Sequence, residues 1–342
     1  MKLEKPNILI TNPMSRTYVE RLNQDPRTQK AQQLPRELWD QFRTIYESGS
    51  DALETGPMEM ATYFEEADVI ICMGLPHGSI NWAPRLKWVQ AWSAGVDHMR
   101  GSGIIEAGVP VTTLAGVNAI PVAEHVITLM LMLARNMKGF MENANNRIWR
   151  PTPESDELTG KTVGIVGLGA IGSFVARMCS GFDMRILATR RSVTMRERDV
   201  QHVDELLPMS ELSYLLGESD FVVLSCPLSA ETEGLIGKKE LEAMKSTSFL
   251  INVSRGEVVE EPVLIEALRE GWIAGAGLDV FWTEPLDNPS PLWDLPNVVM
   301  TSHRAGRSIR NDRRQAKMFE DNLDRYLSGE PLLYMVDPSK EY

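Results

Sequence analysis

The chain has 342 residues, 43% of them hydrophobic and 24% charged, which is the composition of a folded globular protein long enough for two cores. Its formal net charge of −12 speaks against a polyanionic partner, so nucleic acid is not expected and the acidity is read as solubility. The richest apolar run, residues 119–135, contains Glu124 and His125 and ends in Arg135. No run reaches the roughly 18 apolar residues of a membrane span, so no membrane partner is expected, and the opening MKLEKPNILITN lacks the apolar core of a secretion signal.

In chain order, residues 7–11 form a short β-rich run, 38–48 suit a helix, and 67–72 and 86–92 suit strands. A long helix is expected over 119–146 with Asn118 as its cap, followed by a Gly- and Pro-punctuated connector at 150–160. From Lys161 the pattern becomes regular. Strands at 162–167, 183–189, 220–226, 248–254, 274–281 and 297–302 alternate with helices at 170–180, 209–219, 238–245 and 262–271. Apolar strands separated by amphipathic helices imply a parallel sheet covered on both faces. A last helix at 310–329 is expected to pack back against the first part of the chain. The fold class is therefore α/β, with two Rossmann-like or flavodoxin-like lobes. Residues 1–117 plus 307–342 form one, and 118–306 form a second that is inserted into it. Cys72, Cys179 and Cys226 sit in apolar stretches without metal-ligand spacing, which points to reduced thiols in a cytosolic protein and to no metal site.

The segment VGIVGLGAIGSFVARM places Gly167, Gly169 and Gly172 in G-x-G-x-x-G spacing between a strand and a helix, the context in which this motif binds a dinucleotide. Gly167 permits the tight turn, Gly169 lets the backbone approach a pyrophosphate, and Gly172 lets the helix pack closely on the strand. The helix opening at Ala170 and Ile171 offers N–H groups and a positive dipole end to the phosphates. An NAD site places an acid about 20 residues further on, against the ribose hydroxyls. Here the next strand ends in Thr189, Arg190, Arg191 and Ser192, so two guanidinium groups stand where a 2′-phosphate would lie. NADP(H) is thus the expected cofactor. With both arginines solvated, NAD(H) would serve as well.

Three polar residues fall at the carboxyl ends of predicted strands, where open α/β sheets bind ligands: Arg255 after LINVS, Glu284 after GLDVF, and His303 closing NVVMTSH. Reduction of a 2-keto acid needs a hydride donor, a proton donor and a cation for the carboxylate. His303 suits acid/base work near neutral pH, Glu284 would orient and stabilise its imidazolium, and Arg255 would hold the carboxylate and polarise the carbonyl. The other histidines, His77, His98, His125 and His202, do not end such a strand. The plainer alternative for His303 is a loop histidine.

With VGIVGLGAIG, LINVSRGEVVEE, GLDVFWTEPL and TSHRAG in this order, and WSAGVDHM and PVAEHVITLMLMLARN before them, the chain resembles the D-isomer-specific 2-hydroxyacid dehydrogenase family over nearly its whole length. It is most similar in kind to NADP-preferring glyoxylate/hydroxypyruvate reductases. The resemblance implies that Arg255, Glu284 and His303 are the catalytic trio, and that the inserted lobe binds the dinucleotide while the discontinuous lobe binds substrate. It implies that Ala94, Gly95 and the backbone at Met73, Gly74 and Leu75 hold the substrate carboxylate. It places Val253 and Asp279 against the nicotinamide and makes Cys226, Pro227 and Leu228 the loop over it. It also implies a homodimer built partly on the helix after Asn118. The chain departs from the family at Ser302, where proline is common, and at Arg304, followed by Arg307. Arg304 either meets a second carboxylate of the substrate or faces solvent. Trp282 either lines the cleft or packs, and Trp82, Trp88 and Trp92 are read as core. Members of other functional classes share this scaffold, among them cofactor-sensing corepressors and enzymes acting on formate, phosphite or phosphoglycerate. The chain has neither a basic patch nor a long disordered tail to favour the corepressor reading.

Overall fold

The computed structural model describes residues 4–52, 56–96, 99, 101–150 and 155–337. The chain forms two compact units, Met1–Val117 with Ile309–Tyr342, and Asn118–Ser308. In the first unit, strands β1 (Asn7–Ile10), β2 (Lys30–Gln33), β3 (Val69–Cys72), β4 (Trp88–Ala91) and β5 (Val111–Thr112) make a parallel sheet of order β2-β1-β3-β4-β5, the flavodoxin-like order. Alternation along the strands feeds two separate cores. Ile8, Ile10, Val69, Ile71 and Trp88 face Leu22 of helix α1 (Arg16–Gln24) and Phe319, Leu323 and Tyr326 of the returning C-terminal helix, Asn311–Ser328. Leu9, Ile70, Cys72, Val89 and Ala91 face Phe42 and Ile45 of α2 (Arg36–Ser48) and Met60 and Phe64 of α3 (Met58–Glu65). Trp88 is fully buried, stacks on Phe319 with ring centroids 5.3 Å apart, and donates its indole N–H to Thr112 Oγ1 at 2.8 Å. Trp82 is buried as well, whereas Trp92 is half-buried against Tyr18.

The second unit opens with α4 (Ala119–Ala134) and α5 (Met137–Asn145). The strands are β6 (Thr162–Val166), β7 (Arg185–Thr189), β8 (Glu205–Leu207), β9 (Phe221–Leu224), β10 (Phe249–Asn252), β11 (Gly275–Leu278) and β12 (Val298–Met300). They form a wholly parallel sheet of order β12-β11-β10-β9-β6-β7-β8. Its order reverses between β6 and β9, which is where a doubly wound sheet opens a ligand crevice at its carboxyl edge. One face packs on α4 and on α6 (Ala170–Ser180), through Val126, Leu129, Met130, Val175 and Cys179. The other packs on α7 (Leu212–Glu218), α8 (Lys238–Ala243) and α9 (Glu261–Glu270), through Leu215, Leu216, Leu241, Leu264 and Leu268.

Three features differ from the sequence reading. The helix expected over 119–146 is broken: Asn136 turns left-handed at φ 48°, and α5 sets off from it. Asn118 precedes α4 at φ −94° and ψ 3° without a side-chain capping bond, because its backbone is not in the extended conformation a capping side chain needs. The edge strands β2 (KAQQ) and β8 (ELL) carry too little apolar pattern to be read from sequence. Part of the segment WSAGVDHM, Asp97 and His98, lies outside the described residues, as does 151–154 of the connector.

Candidate active site

The glycine-rich turn is built from the end of β6 into α6. Gly167 has φ +98°, and a Cβ there would lie 2.8 Å from backbone atoms of Cys226. A Cβ on Gly172 would lie 2.5 Å from the Gly167 carbonyl oxygen. Both glycines are therefore demanded by the chain's own packing. Gly169 is different: its φ is −95° and no atom lies within 4 Å of where its Cβ would stand. Nothing in the fold requires a glycine there, and the open space at the N-terminus of α6 is the room a pyrophosphate needs. The first intrahelical bond runs from Ser173 N to Gly169 O, so the N–H groups of Ala170, Ile171 and Gly172 precede the helical ladder. The turn is tied on both sides. Ser225 Oγ donates to Gly167 O at 2.9 Å, Gly167 N donates to Thr189 Oγ1 at 3.3 Å, and Leu168 N donates to Thr189 O at 2.7 Å.

At the end of β7, Thr189 is buried and so serves the turn rather than a ligand. Arg190 is half-buried, and its Nε donates to Leu168 O at 3.1 Å, which fixes the guanidinium beside the glycine-rich turn. Arg191 is exposed, 3.6 Å from the Glu231 carboxylate, and Ser192 is exposed. Burial pushes the Cys226 thiol up to about 11, so it stays protonated and acts as a small apolar lid on Gly167. Pro227 is exposed and its carbonyl accepts Thr232 Oγ1 at 2.6 Å, while Leu228 is half-buried beside it. Val253 is buried, with its N–H on Leu224 O.

Arg255, Glu284 and His303 follow β10, β11 and β12, three neighbouring strands. The His303 Nδ1 lies 2.7 Å from Glu284 Oε2, and the other carboxylate oxygen accepts the Phe281 N–H at 3.1 Å. Arg255 is half-buried and donates Nη1 to Ser254 O at 2.9 Å. Its loop is held by Asn252, whose Nδ2 donates to Arg255 O and whose Oδ1 accepts from both Ser254 N and Ser254 Oγ. A Cβ on Gly256 would lie 2.0 Å from the Phe281 carbonyl carbon, so the Arg255 loop packs backbone to backbone on the Glu284 loop. The Trp282 indole N–H is tied to Val259 O at 2.6 Å while 45% of the residue stays exposed. Asn252, Gly256 and Ser254 escaped the sequence reading, although the asparagine and glycine flanking a strand-terminal arginine were a usable signal.

Asp279 is 1% exposed, and both its oxygens are engaged. Oδ1 accepts Thr301 Oγ1 at 2.5 Å and Arg304 N at 2.9 Å, and Oδ2 accepts Ala305 N at 2.9 Å. The guanidinium groups of Arg304 and Arg307 are exposed and find no carboxylate among the described residues. The candidates of the first unit lie after β3 and β4, which are neighbours in their sheet. Met73 is half exposed, Gly74 has no room for a Cβ beside the Tyr46 ring, and Leu75 is buried. Ala94 is exposed, and Gly95 is half-buried with its carbonyl accepting Ser93 Oγ at 2.7 Å.

The glycine geometry separates ligand from fold. Gly169→Ala is expected to leave thermal stability within about 1 kcal/mol of the parent and to weaken NADPH binding at least about tenfold in a calorimetric titration. Gly172→Ala is expected to cost about 1–3 kcal/mol of stability by overpacking. Unchanged NADPH affinity in Gly169→Ala would contradict the assignment of that space to the pyrophosphate.

Residues 127–305 match the NAD binding domain of the D-isomer specific 2-hydroxyacid dehydrogenases. The chain is 39% identical over 256 residues to a glyoxylate reductase of Korarchaeum cryptofilum, covering 72% of this chain and 75% of that one. It is 39% identical over 264 residues to a glyoxylate/hydroxypyruvate reductase B of Pectobacterium carotovorum, covering 75% and 80%. Among solved structures it resembles a D-isomer specific 2-hydroxyacid dehydrogenase from Xanthobacter autotrophicus in complex with NADPH and MES, at TM-score 0.80 and 27% identity over 99% of this chain and 100% of that one. It also resembles an NADPH-dependent glyoxylate/hydroxypyruvate reductase from Sinorhizobium meliloti in complex with NADP and sulfate, at TM-score 0.78 and 26% identity with the same coverage. A strand-to-helix dinucleotide turn, strand-terminal Arg, Glu and His, and similarity along most of the chain converge on one conclusion: this chain belongs to the D-isomer-specific 2-hydroxyacid dehydrogenase family of oxidoreductases.

Proposed function

We propose that this protein is an NADP(H)-preferring reductase of small 2-keto acids, with glyoxylate and hydroxypyruvate as substrates and the D-2-hydroxy acid as product. The observation that carries the reading is the 2.7 Å Glu284–His303 pair beside the Arg255 loop, in the unit that also holds the dinucleotide turn. The names of the 39%-identical relatives support the substrate class. Bound NADPH supplies the hydride. His303, with Nδ1 on Glu284, keeps Nε2 for the proton that goes to the carbonyl oxygen as the hydride reaches the carbon. Glu284 fixes the orientation of the ring through its bond to Nδ1. Arg255 takes the substrate carboxylate as a charge-assisted pair and polarises the carbonyl. The unit Asn118–Ser308 holds the dinucleotide, with Val253, Asp279 and the Cys226–Leu228 loop on the nicotinamide side.

The cofactor preference rests on Arg190, fixed to the glycine-rich turn, on Arg191, and on the lack of an acid from 189 to 192. NADPH or NADP in the two related structures supports it. The test is oxidation of NADPH, and separately of NADH, followed by absorbance against glyoxylate, hydroxypyruvate, pyruvate, phenylpyruvate and 2-ketopantoate. His303→Ala is expected to lower kcat by about 10²–10⁴ while NADPH still binds. Arg190→Asp with Arg191→Ala is expected to raise KM for NADPH at least about tenfold more than KM for NADH. Equal effects on the two cofactors would overturn the preference, and undiminished turnover in His303→Ala would overturn the catalytic assignment.

A homodimer is part of the same proposal. Met137, Phe140 and Met141 line one side of α5, and with Ile148 and the wholly exposed Trp149 they leave a run of large apolar side chains in solvent. Exposed apolar runs of this kind mark association surfaces. Light scattering of Phe140→Asp combined with Trp149→Asp is expected to give the monomer mass where the parent gives the dimer mass. The same mass for both would refute the surface.

A further inference from the structure

His125 lies on α4, far in sequence from the strand ends, and sits under the His303 turn. Its Nε2 is 2.9 Å from Thr301 Oγ1 and 3.8 Å from Asp279 Oδ1. The directions of these bonds follow from the inventory of protons. Asp279 as a carboxylate only accepts, and it already takes the amides of Arg304 and Ala305. The Thr301 hydroxyl must then give its single proton to Asp279 Oδ1, at 2.5 Å, and its lone pair must accept from His125. His125 therefore carries its proton on Nε2. The chain runs one way: imidazole N–H to threonine hydroxyl to aspartate, and the aspartate grips the backbone immediately after His303. The His303 N–H is itself on Asp279 O at 2.8 Å, and His303 stands in the left-handed region at φ 52°.

We propose that His125 is a positioning residue for the reaction. It fixes the Thr301 hydroxyl, and through it the Asp279 carboxylate, so that the turn at 303–305 presents the His303 ring to Glu284 and to the substrate. It touches neither substrate nor cofactor in this role. The inference rests on the assignment of His303 as the acid/base group, and it adds a second histidine that works through hydrogen bonding alone. A solvated polar histidine on a core helix would make no such demand on its tautomer or on a neighbouring hydroxyl.

The test compares His125→Leu, which removes the donor, with His125→Gln, whose amide N–H can reach Thr301 as Nε2 does. His125→Leu is expected to lower kcat for NADPH-dependent glyoxylate reduction about tenfold to a hundredfold through misplacement of the ring, with KM for NADPH changed less than about twofold. His125→Gln is expected to recover most of the loss. Should His125→Leu fail to fold, Thr301→Val breaks the same chain one step later and Thr301→Ser restores it. When both removals fold, their double variant is expected to be no worse than either alone. Full kcat in His125→Leu or Thr301→Val, failure of both Gln and Ser to rescue, or additive losses would overturn the proposal. His303→Ala, assayed alongside, separates the two claims. If it is inactive while His125→Leu is fully active, the positioning role alone fails. If it is active, the acid/base assignment fails and this inference with it.

Discussion

The carboxylate of Asp279, buried where β11 ends, receives the Thr301 hydroxyl and the amides of Arg304 and Ala305, and the turn so held is the one that carries His303. A residue with a β-carbon pays roughly 1–2 kcal/mol to stand in the left-handed region, and His303 does so. Hydrogen bonds to a charged group contribute about 1.5–3 kcal/mol each, so three of them to one carboxylate outweigh that strain. The turn is thereby held in a conformation His303 would not adopt alone. The ring is left 49% exposed at its side chain, yet is fixed by the 2.7 Å bond to Glu284.

The same economy of backbone contact governs the rest of the unit. Gly256 brings the Arg255 loop against the Phe281–Trp282 backbone, and Gly167 brings the dinucleotide turn against Cys226. In each case a side chain would push apart two loops that must meet at the carboxyl edge of the sheet. Among Gly167, Gly169 and Gly172 of the dinucleotide turn, Gly169 alone faces open space, and that contrast separates a glycine kept for the fold from one kept for a ligand. The Asp279 geometry also refines the expectation from family resemblance: its carboxylate is largely committed to the 301–305 turn, so any contribution at the nicotinamide is made from a position fixed by that turn.

The parallel sheet of the second unit was legible because its buried strands are continuous apolar runs between amphipathic helices, and each of Arg255, Glu284 and His303 follows such a run. The glycine turn was legible for the same reason, having a strand before it and a helix after it. The edge strands β2 and β8 were not, since β2 is polar with Ala31 its one buried residue and β8 is only three residues long, too short to show a pattern. Nor was the break at Asn136, where an apolar sequence on both sides hides a change of backbone direction. His125 was set aside because it does not end a strand. Its partner Thr301 is 176 residues away, and only the packing of α4 on the sheet brings them together.

The proposed reaction moves a hydride from NADPH to the keto carbon while His303 supplies the proton to the carbonyl oxygen. Its most direct measurement is the fate of deuterium carried at C4 of NADPH, on the face that reacts, when hydroxypyruvate is the acceptor. The expected result is D-glycerate with the label at C2 from the parent protein, formed at least about a hundredfold more slowly by His303→Ala. The L-isomer, unlabelled product, or labelled D-glycerate formed at the parental rate by His303→Ala would contradict it.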